Sequence, residues 1–345
     1  MLLPPALLLA LAPACWDPLP NDTEADFLAT TTRLETADGA TIALHHHPAA
    51  GPPVLLVHGI SSNHRFFDLD PKHNLADWLC AHGHDVWMLD LRGHGDAVYG
   101  DHGRQFDGWT VDDYGEYDVD TAIKHIRSVT GAARVDYIGH SMGGMVGAIY
   151  AVRHGTASLG AMVVLGSPAA FSMKDPLVGL AQAGMAMGGA SLLWVDTPAF
   201  GSIAADLGGV VPGHLQERLY NPENYDAATV DEMLRAVASP LARKEMQHFG
   251  RMLKDERFES WDRKIDYRAA LSGVHIPVLA IGSSHDQVVP AARVQAFSEA
   301  VGGKHAFFLA SDGGVAHAYG HLDYALADNA PTEVFPRIEE WLAER

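Results

Sequence analysis

The sequence is short of cysteine, of positive charge and of long apolar runs, and each shortage removes a class of protein. Two cysteines, Cys15 and Cys80, allow at most one disulfide, which excludes a small stapled scaffold. Only 24 Lys and Arg stand against 43 Asp and Glu, a formal charge of −19. No basic footprint for nucleic acid can be built from that balance. The surplus acid speaks to solubility and salt tolerance, not to fold. The opening run Met1 to Ala14 is almost wholly apolar, yet it falls short of the roughly 20 residues that a spanning helix needs. No internal repeat is visible. What remains, 48% hydrophobic and 19% charged residues, describes a globular chain with ample core. At 345 residues it suits one large α/β domain with an insertion.

The apolar opening fits a secretory signal, with Ala12-x-Ala14 as the small-residue cleavage pattern, although no Lys or Arg precedes it. Leu11 to Cys15 also looks like a degraded lipoprotein processing site, with Pro13 out of pattern, and lipidation of Cys15 stays open. Export (periplasmic, secreted or lipid-anchored) is expected over the cytoplasm, and the same segment offers a means of membrane association. The expected organisation is a leader at 1–15, a linker at 16–29, a first core part at 30–169, a helical cap at 170–265 and a second core part at 266–345.

The most informative stretch is Val135-Asp136-Tyr137-Ile138-Gly139-His140-Ser141-Met142-Gly143-Gly144, an apolar strand running into Gly-x-Ser-x-Gly. Met145, Val146, Ile149 and Val152 then recur at helical spacing. Strand, tight turn and helix in that order form a nucleophile elbow: glycines flank the turn, and the serine hydroxyl is pushed out of the sheet.

On either side the chain alternates. Thr30–Leu34 and Ala40–Leu44 around Asp38-Gly39 read as a hairpin. Val54–Val57 reads as a strand covered on both faces. His58-Gly59-Ile60 follows it, where acyl transfer needs a second N–H donor, Ile60, beside that of Met142. A helix at about 72–81 leads to the strand 85–90, and Asp90 and Arg92 read as charges that tie neighbouring loops. Trp109–Val129 holds a helix whose Asp112, Asp113, Glu116, Asp118 and Asp120 are expected on a solvated side. Strands at 161–165, 276–282 and 304–309 complete a mostly parallel sheet with right-handed crossovers. The closing helix carries Val334, Phe335, Ile338, Trp341 and Leu342 on one face, with Pro331 in its first turn. Between 170 and 265 the rhythm breaks, and residues such as Met185 and Met187 among glycines suggest a pliable apolar lining. Most of the 20 histidines are expected at the surface, with His45-His46-His47 at the end of an edge strand rather than on a metal.

A serine hydroxyl becomes nucleophilic only when a base takes its proton and an acid holds that base. Ser141, then Asp286 after a late strand, then His321 after the last strand is the chain order expected of residues above the C-terminal edge of one parallel sheet. His317, Asp312 and Asp323 are competitors for the last two roles. His140 reads as packing, and His58 as a brace of the oxyanion loop.

These motifs resemble the α/β-hydrolase superfamily, of the serine esterase and lipase kind, from about residue 30 to 343 apart from the insertion. The matching residues are His58-Gly59, Asp90-Leu91-Arg92-Gly93-His94-Gly95, Gly139 to Gly144, Ile276-Pro277-Val278 through Asp286, and Gly320-His321. Trp109 through Asp118, with His321-Leu322-Asp323-Tyr324, is further similar to the acid lipases. The resemblance implies Ser141 as nucleophile, His321 as base and then acid, Asp286 as its orienter, and the Ile60 and Met142 N–H groups as the oxyanion hole. It also favours His321 over His317, from the spacing to the final helix. The insertion and Asn221-Pro222-Glu223-Asn224 depart from acid lipases and look closer to polyester synthases, which carry a cysteine where this chain has Ser141. The expected activity is carboxylic ester hydrolysis through an acyl-serine, without cofactor or metal, on a small-molecule or lipid ester. The alternatives are an acyltransferase of the same fold and a non-catalytic binding protein. Oligomeric state is open.

Overall fold

β-branched and apolar runs without a polar alternation form the centre of the molecule, because both of their faces are covered. The computed structural model describes residues 30–97, 108–172, 174, 194–195, 218–311 and 315–344. The leader at 1–15, the linker at 16–29, Met185, Met187, Asp312 and Gly313-Gly314 lie outside the described residues.

The strands are β1 (Thr30–Glu35), β2 (Thr41–His47), β3 (Pro53–Val57), β4 (Asp85–Asp90), β5 (Val135–His140), β6 (Leu159–Leu165), β7 (Trp194–Val195), β8 (Leu241–Ala242), β9 (Val278–Gly282) and β10 (His305–Leu309). Eight of them form one sheet in the order β1-β2-β4-β3-β5-β6-β9-β10, antiparallel at β1–β2–β4 and parallel from β4 onward. β7 and β8 pair separately. The helices that cover the sheet are α1 (Leu75–Ala81), α2 (Val119–Thr130), α3 (Met142–His154), α6 (Ala291–Ala300) and α7 (Phe335–Ala343). Between β6 and β9 the chain adds α4 (Ala227–Ala236) and α5 (Arg243–Asp255).

Side chains alternate across a strand, and the two cores follow that period. Leu55 and Val57 point to the layer built by α2 and α3, with Val119, Ile123, Ile126, Met145 and Ile149. Val54 and Leu56 point the other way, to α1 and α7, with Leu75, Leu79, Phe335, Ile338 and Leu342. Each such fully buried side chain contributes roughly 1.5–3 kcal/mol relative to exposure. Among the described residues no helix is long and apolar enough to cross a membrane.

Four expectations need correction. The first helix starts at Leu75, not 72, because the Asn74 side chain accepts the Asp77 N–H and caps it there. The closing helix is broken into Ala330–Glu333 and α7, with a proline in the first turn of each. The acidic side of the 109–129 stretch is not solvated. Asp112, Asp118 and Asp120 are buried, and Asp118 accepts the Arg92 Nε at 2.8 Å while Asp112 accepts the Tyr267 hydroxyl at 2.9 Å. For Asp118 and Asp120 a π-helical turn at Tyr114–Asp118 is the reason, since it adds a residue to the ladder and rotates later positions away from straight-helix spacing, while Asp112, ahead of the turn, is held by Tyr267 and Arg153. Finally, nine histidines among the described residues are buried, and the run His45–His47 lies in β2, inside the sheet. The surplus carboxylates make this possible: His46 pairs with Asp85 at 2.7 Å, His47 with Asp77 at 2.8 Å and His84 with Glu339 at 2.6 Å. Burial works against protonation of His47, but Asp68 and Asp77 outweigh it and raise its pKa to about 9.

Candidate active site

Ser141 is the single residue between the end of β5 and the start of α3. Its backbone sits at φ 52° and ψ −118°, a conformation that side chains resist. The turn closes against its neighbours. A Cβ at Gly139 would lie 2.5 Å from the Gly144 nitrogen, and one at Gly143 would lie 2.1 Å from the Val57 oxygen. Only glycine at both positions lets the serine rise from the sheet edge.

Three side chains from distant positions meet there. Ser141 Oγ lies 2.9 Å from His321 Nε2, and His321 Nδ1 lies 2.8 Å from Asp286 Oδ2. All three are buried. Asp286 follows β9, and its Oδ1 accepts the N–H groups of Val288 and Val289, both at 2.8 Å. That fixes the carboxylate as an acceptor, puts the imidazole proton on Nδ1, and leaves the Nε2 lone pair for the serine proton. The other candidates fall elsewhere. His317 is exposed and pairs with Glu333 at 2.8 Å, while Asp323 faces away from the imidazole toward Asn221 and Tyr225.

The first turn of α3 presents Met142 directly behind the serine, where helix N–H groups lack intrahelical acceptors. The loop after β3 comes alongside: a Cβ at Gly59 would lie 3.1 Å from that of Ser141, so Ile60 follows within the same corner. His58 braces this loop. Its Nδ1 donates to the Gly59 carbonyl at 2.8 Å and its Nε2 accepts the Leu91 N–H at 3.3 Å, while burial drives its pKa down to about 4. His140 packs flat on Phe66 at 4.0 Å and donates from Nε2 to the His321 carbonyl at 2.9 Å; burial keeps it neutral. Asp90 and Arg92 tie loops, as their strand-end position suggests. Asp90 accepts His45 at 3.0 Å and His64 at 2.9 Å, and Arg92 bridges Asp38 and Asp118.

Sequence reasoning missed three supports. Tyr324 donates its hydroxyl to Asp286 Oδ2 at 3.0 Å. Asp323 gathers the Asn221–Tyr225 turn. Ser239 grips Ser61, whose φ is 56°: Ser61 Oγ donates to the Ser239 carbonyl at 2.9 Å and Ser239 N–H returns to the Ser61 carbonyl at 3.0 Å. No motif or spacing announces Ser239. Among the described residues, His45, His64 and Asp96 offer ligand atoms within 4.8 Å of one another. The two rings are stacked at 3.6 Å, and both bond the same oxygen, Asp90 Oδ2.

A family model described as the alpha/beta hydrolase fold matches residues 52–316. The chain belongs to the alpha/beta hydrolase fold family. Relatives of this hydrolase-fold chain include triacylglycerol lipase 1 of Arabidopsis thaliana, 31% identical over 130 residues, 34% of this chain and 33% of the plant protein. A poly(3-hydroxyalkanoate) polymerase subunit of Haloferax mediterranei is 21% identical over 320 residues, 85% of this chain and 59% of that one. The chain thus spans about a third of the lipase and under two thirds of the polymerase subunit. An esterase from Thermogutta terrifontis superposes with a TM-score of 0.61 at 19% identity, over 92% of this chain and 99% of that one, a likeness of fold.

Proposed function

We propose that this alpha/beta hydrolase cleaves carboxylic esters through an acyl-serine intermediate. The observation that carries the reading is the hydrogen-bonded chain Ser141 Oγ–His321 Nε2, 2.9 Å, with Asp286 behind the imidazole at 2.8 Å. Those separations lie within the reach a general base needs. His321 takes the serine proton as Oγ adds to the ester carbonyl. The oxyanion is received by the N–H groups of Ile60 and Met142, and Asp286 stabilises the imidazolium. His321 then protonates the departing alkoxide. Water, deprotonated by the same imidazole, cleaves the acyl-serine. The stretch 170–265 is read as a cap; of its described residues, Phe171, Phe249 and Met252 are buried in the core. Lipases among the relatives support ester chemistry, and the serine supports it over the chemistry of an aspartate nucleophile.

Ser141→Ala is expected to lower turnover of a p-nitrophenyl ester by on the order of 10⁶-fold. Retention of more than a tenth of the activity would remove the mechanism. A second reading, acyl transfer to an alcohol, is favoured by the polymerase match over 85% of this chain. Product analysis with added alcohol separates the two: a new ester means transfer, free acid alone means hydrolysis.

A further inference from the structure

His321 rides on no regular element. β10 ends at Leu309, and the next helical turn starts only at Asp323. A base on a loop must still be held to about 0.5 Å, so the holding has to come from outside the loop. Besides the His140 bond to the His321 carbonyl, it comes from the chain between β6 and β9. Asp323 Oδ2 accepts the Gly320 N–H at 2.7 Å, the Asn221 N–H at 3.1 Å and the Asn224 side-chain amide at 2.8 Å, and Oδ1 accepts the Tyr225 hydroxyl at 2.7 Å. The side-chain amides of Asn221 and Asn224 donate to the Ala318 carbonyl at 3.0 and 2.7 Å, and the Leu322 N–H donates to the Leu219 carbonyl at 2.8 Å. Gly320 presses so closely that a Cβ there would lie 2.7 Å from the Tyr220 Cα. Residues on both sides of His321 are therefore bolted to one turn, Asn221–Tyr225.

We propose that Asp323 is a positioning residue for the reaction, holding His321 in line with Ser141 through the Asn221–Tyr225 turn. This rests on the ester-hydrolase reading. Asp323 is fully buried, and its oxygens serve donors from two separate segments. Four donors converging on one side chain call for an acceptor-only group with about four lone-pair sites, which a carboxylate supplies and an amide does not. Burial raises its pKa to about 6 in spite of these bonds, so at neutral pH the charged, stronger-accepting form prevails. Asparagine at 323 could place its amide nitrogen only toward Tyr225, whose hydroxyl can turn to accept. The fold survives that exchange, while the grip on Gly320 and Asn224 weakens.

The test uses the full chain, a p-nitrophenyl ester and a fluorophosphonate that labels Ser141. Asp323→Asn is expected to lower kcat by about 10-fold and Asp323→Ala by about 100-fold, each with KM within about twofold, since a base misplaced by an ångström costs that order. The fluorophosphonate rate falls by the same factors, because that reaction needs the aligned base but no ester binding. Tyr225→Phe, which removes one donor and folds in any case, gives a smaller loss, and its effect does not add to that of Asp323→Asn. Wild-type kcat and labelling rate in Asp323→Asn and Tyr225→Phe overturn the positioning role and leave the ester-hydrolase reading standing. A wild-type chain that the fluorophosphonate leaves untouched ends both.

Discussion

At the scale of single residues, the site is a place where local preference gives way to reach. Ser141 at φ 52° is held in a region that costs of order 1–3 kcal/mol for a residue with a Cβ. Glycine has no such cost. Ser141→Gly is therefore expected to be more stable than Ser141→Ala by about 1 kcal/mol in urea denaturation, although both lack the serine hydroxyl. Equal stabilities would mean that the elbow stores no strain. The three side chains that meet at this point were legible because each follows a strand of the parallel sheet, in a fixed chain order. Asp323 was legible only as a rival for the acid role. Its real partners, Asn221 and Tyr225, lie about a hundred positions away, and no spacing rule links them. The buried histidines were misread for a similar reason: a histidine looks polar in sequence, and its carboxylate appears only in the fold.

At the scale of elements, long periodic segments were read well and interrupted ones were not. β3 and β6 are continuous apolar runs and lie where such runs belong, in the middle of the sheet, with β5 between them. The stretch before α2 failed because a π turn breaks the period on which the face assignment depended. That turn brings Asp118 inward to Arg92, which also reaches Asp38 in the β1–β2 turn at 2.5 Å. One guanidinium thus joins the hairpin, the loop after β4 and the π turn. Arg92→Ala leaves Asp118 buried without its cation, and loss of one partner from a buried pair costs about 3–5 kcal/mol. A chemical-denaturation midpoint within experimental error of wild type would show that the network adds nothing to the fold.

At the scale of the whole molecule, acid dominates the composition, and where the acids sit decides how stability follows pH. Glu245, on α5, is completely buried; its Oε2 accepts the Ala242 N–H at 3.2 Å, and its Oε1 faces His94 Nε2 at 3.9 Å. Burial raises its pKa to about 8, whereas an unfolded glutamate titrates near ~4.3. Between those values the folded chain binds the proton and the unfolded chain does not, so this group makes stability fall as pH rises toward 8. Glu245→Gln should remove that part of the slope, up to about 1.4 kcal/mol per pH unit. Urea midpoints at a series of pH values, wild type against variant, check it; parallel curves would mean that Glu245 is ionised in the fold.

The connection between β6 and β9 grips two loops at once. Ser239 clasps the turn at Ser61, and Asn221 and Asn224 clasp the chain around His321. Such a segment cannot be exchanged like a glove. A chimera that borrowed this stretch from another alpha/beta hydrolase would arrive with no fingers for either loop, so its anchors must travel with their sockets or not at all.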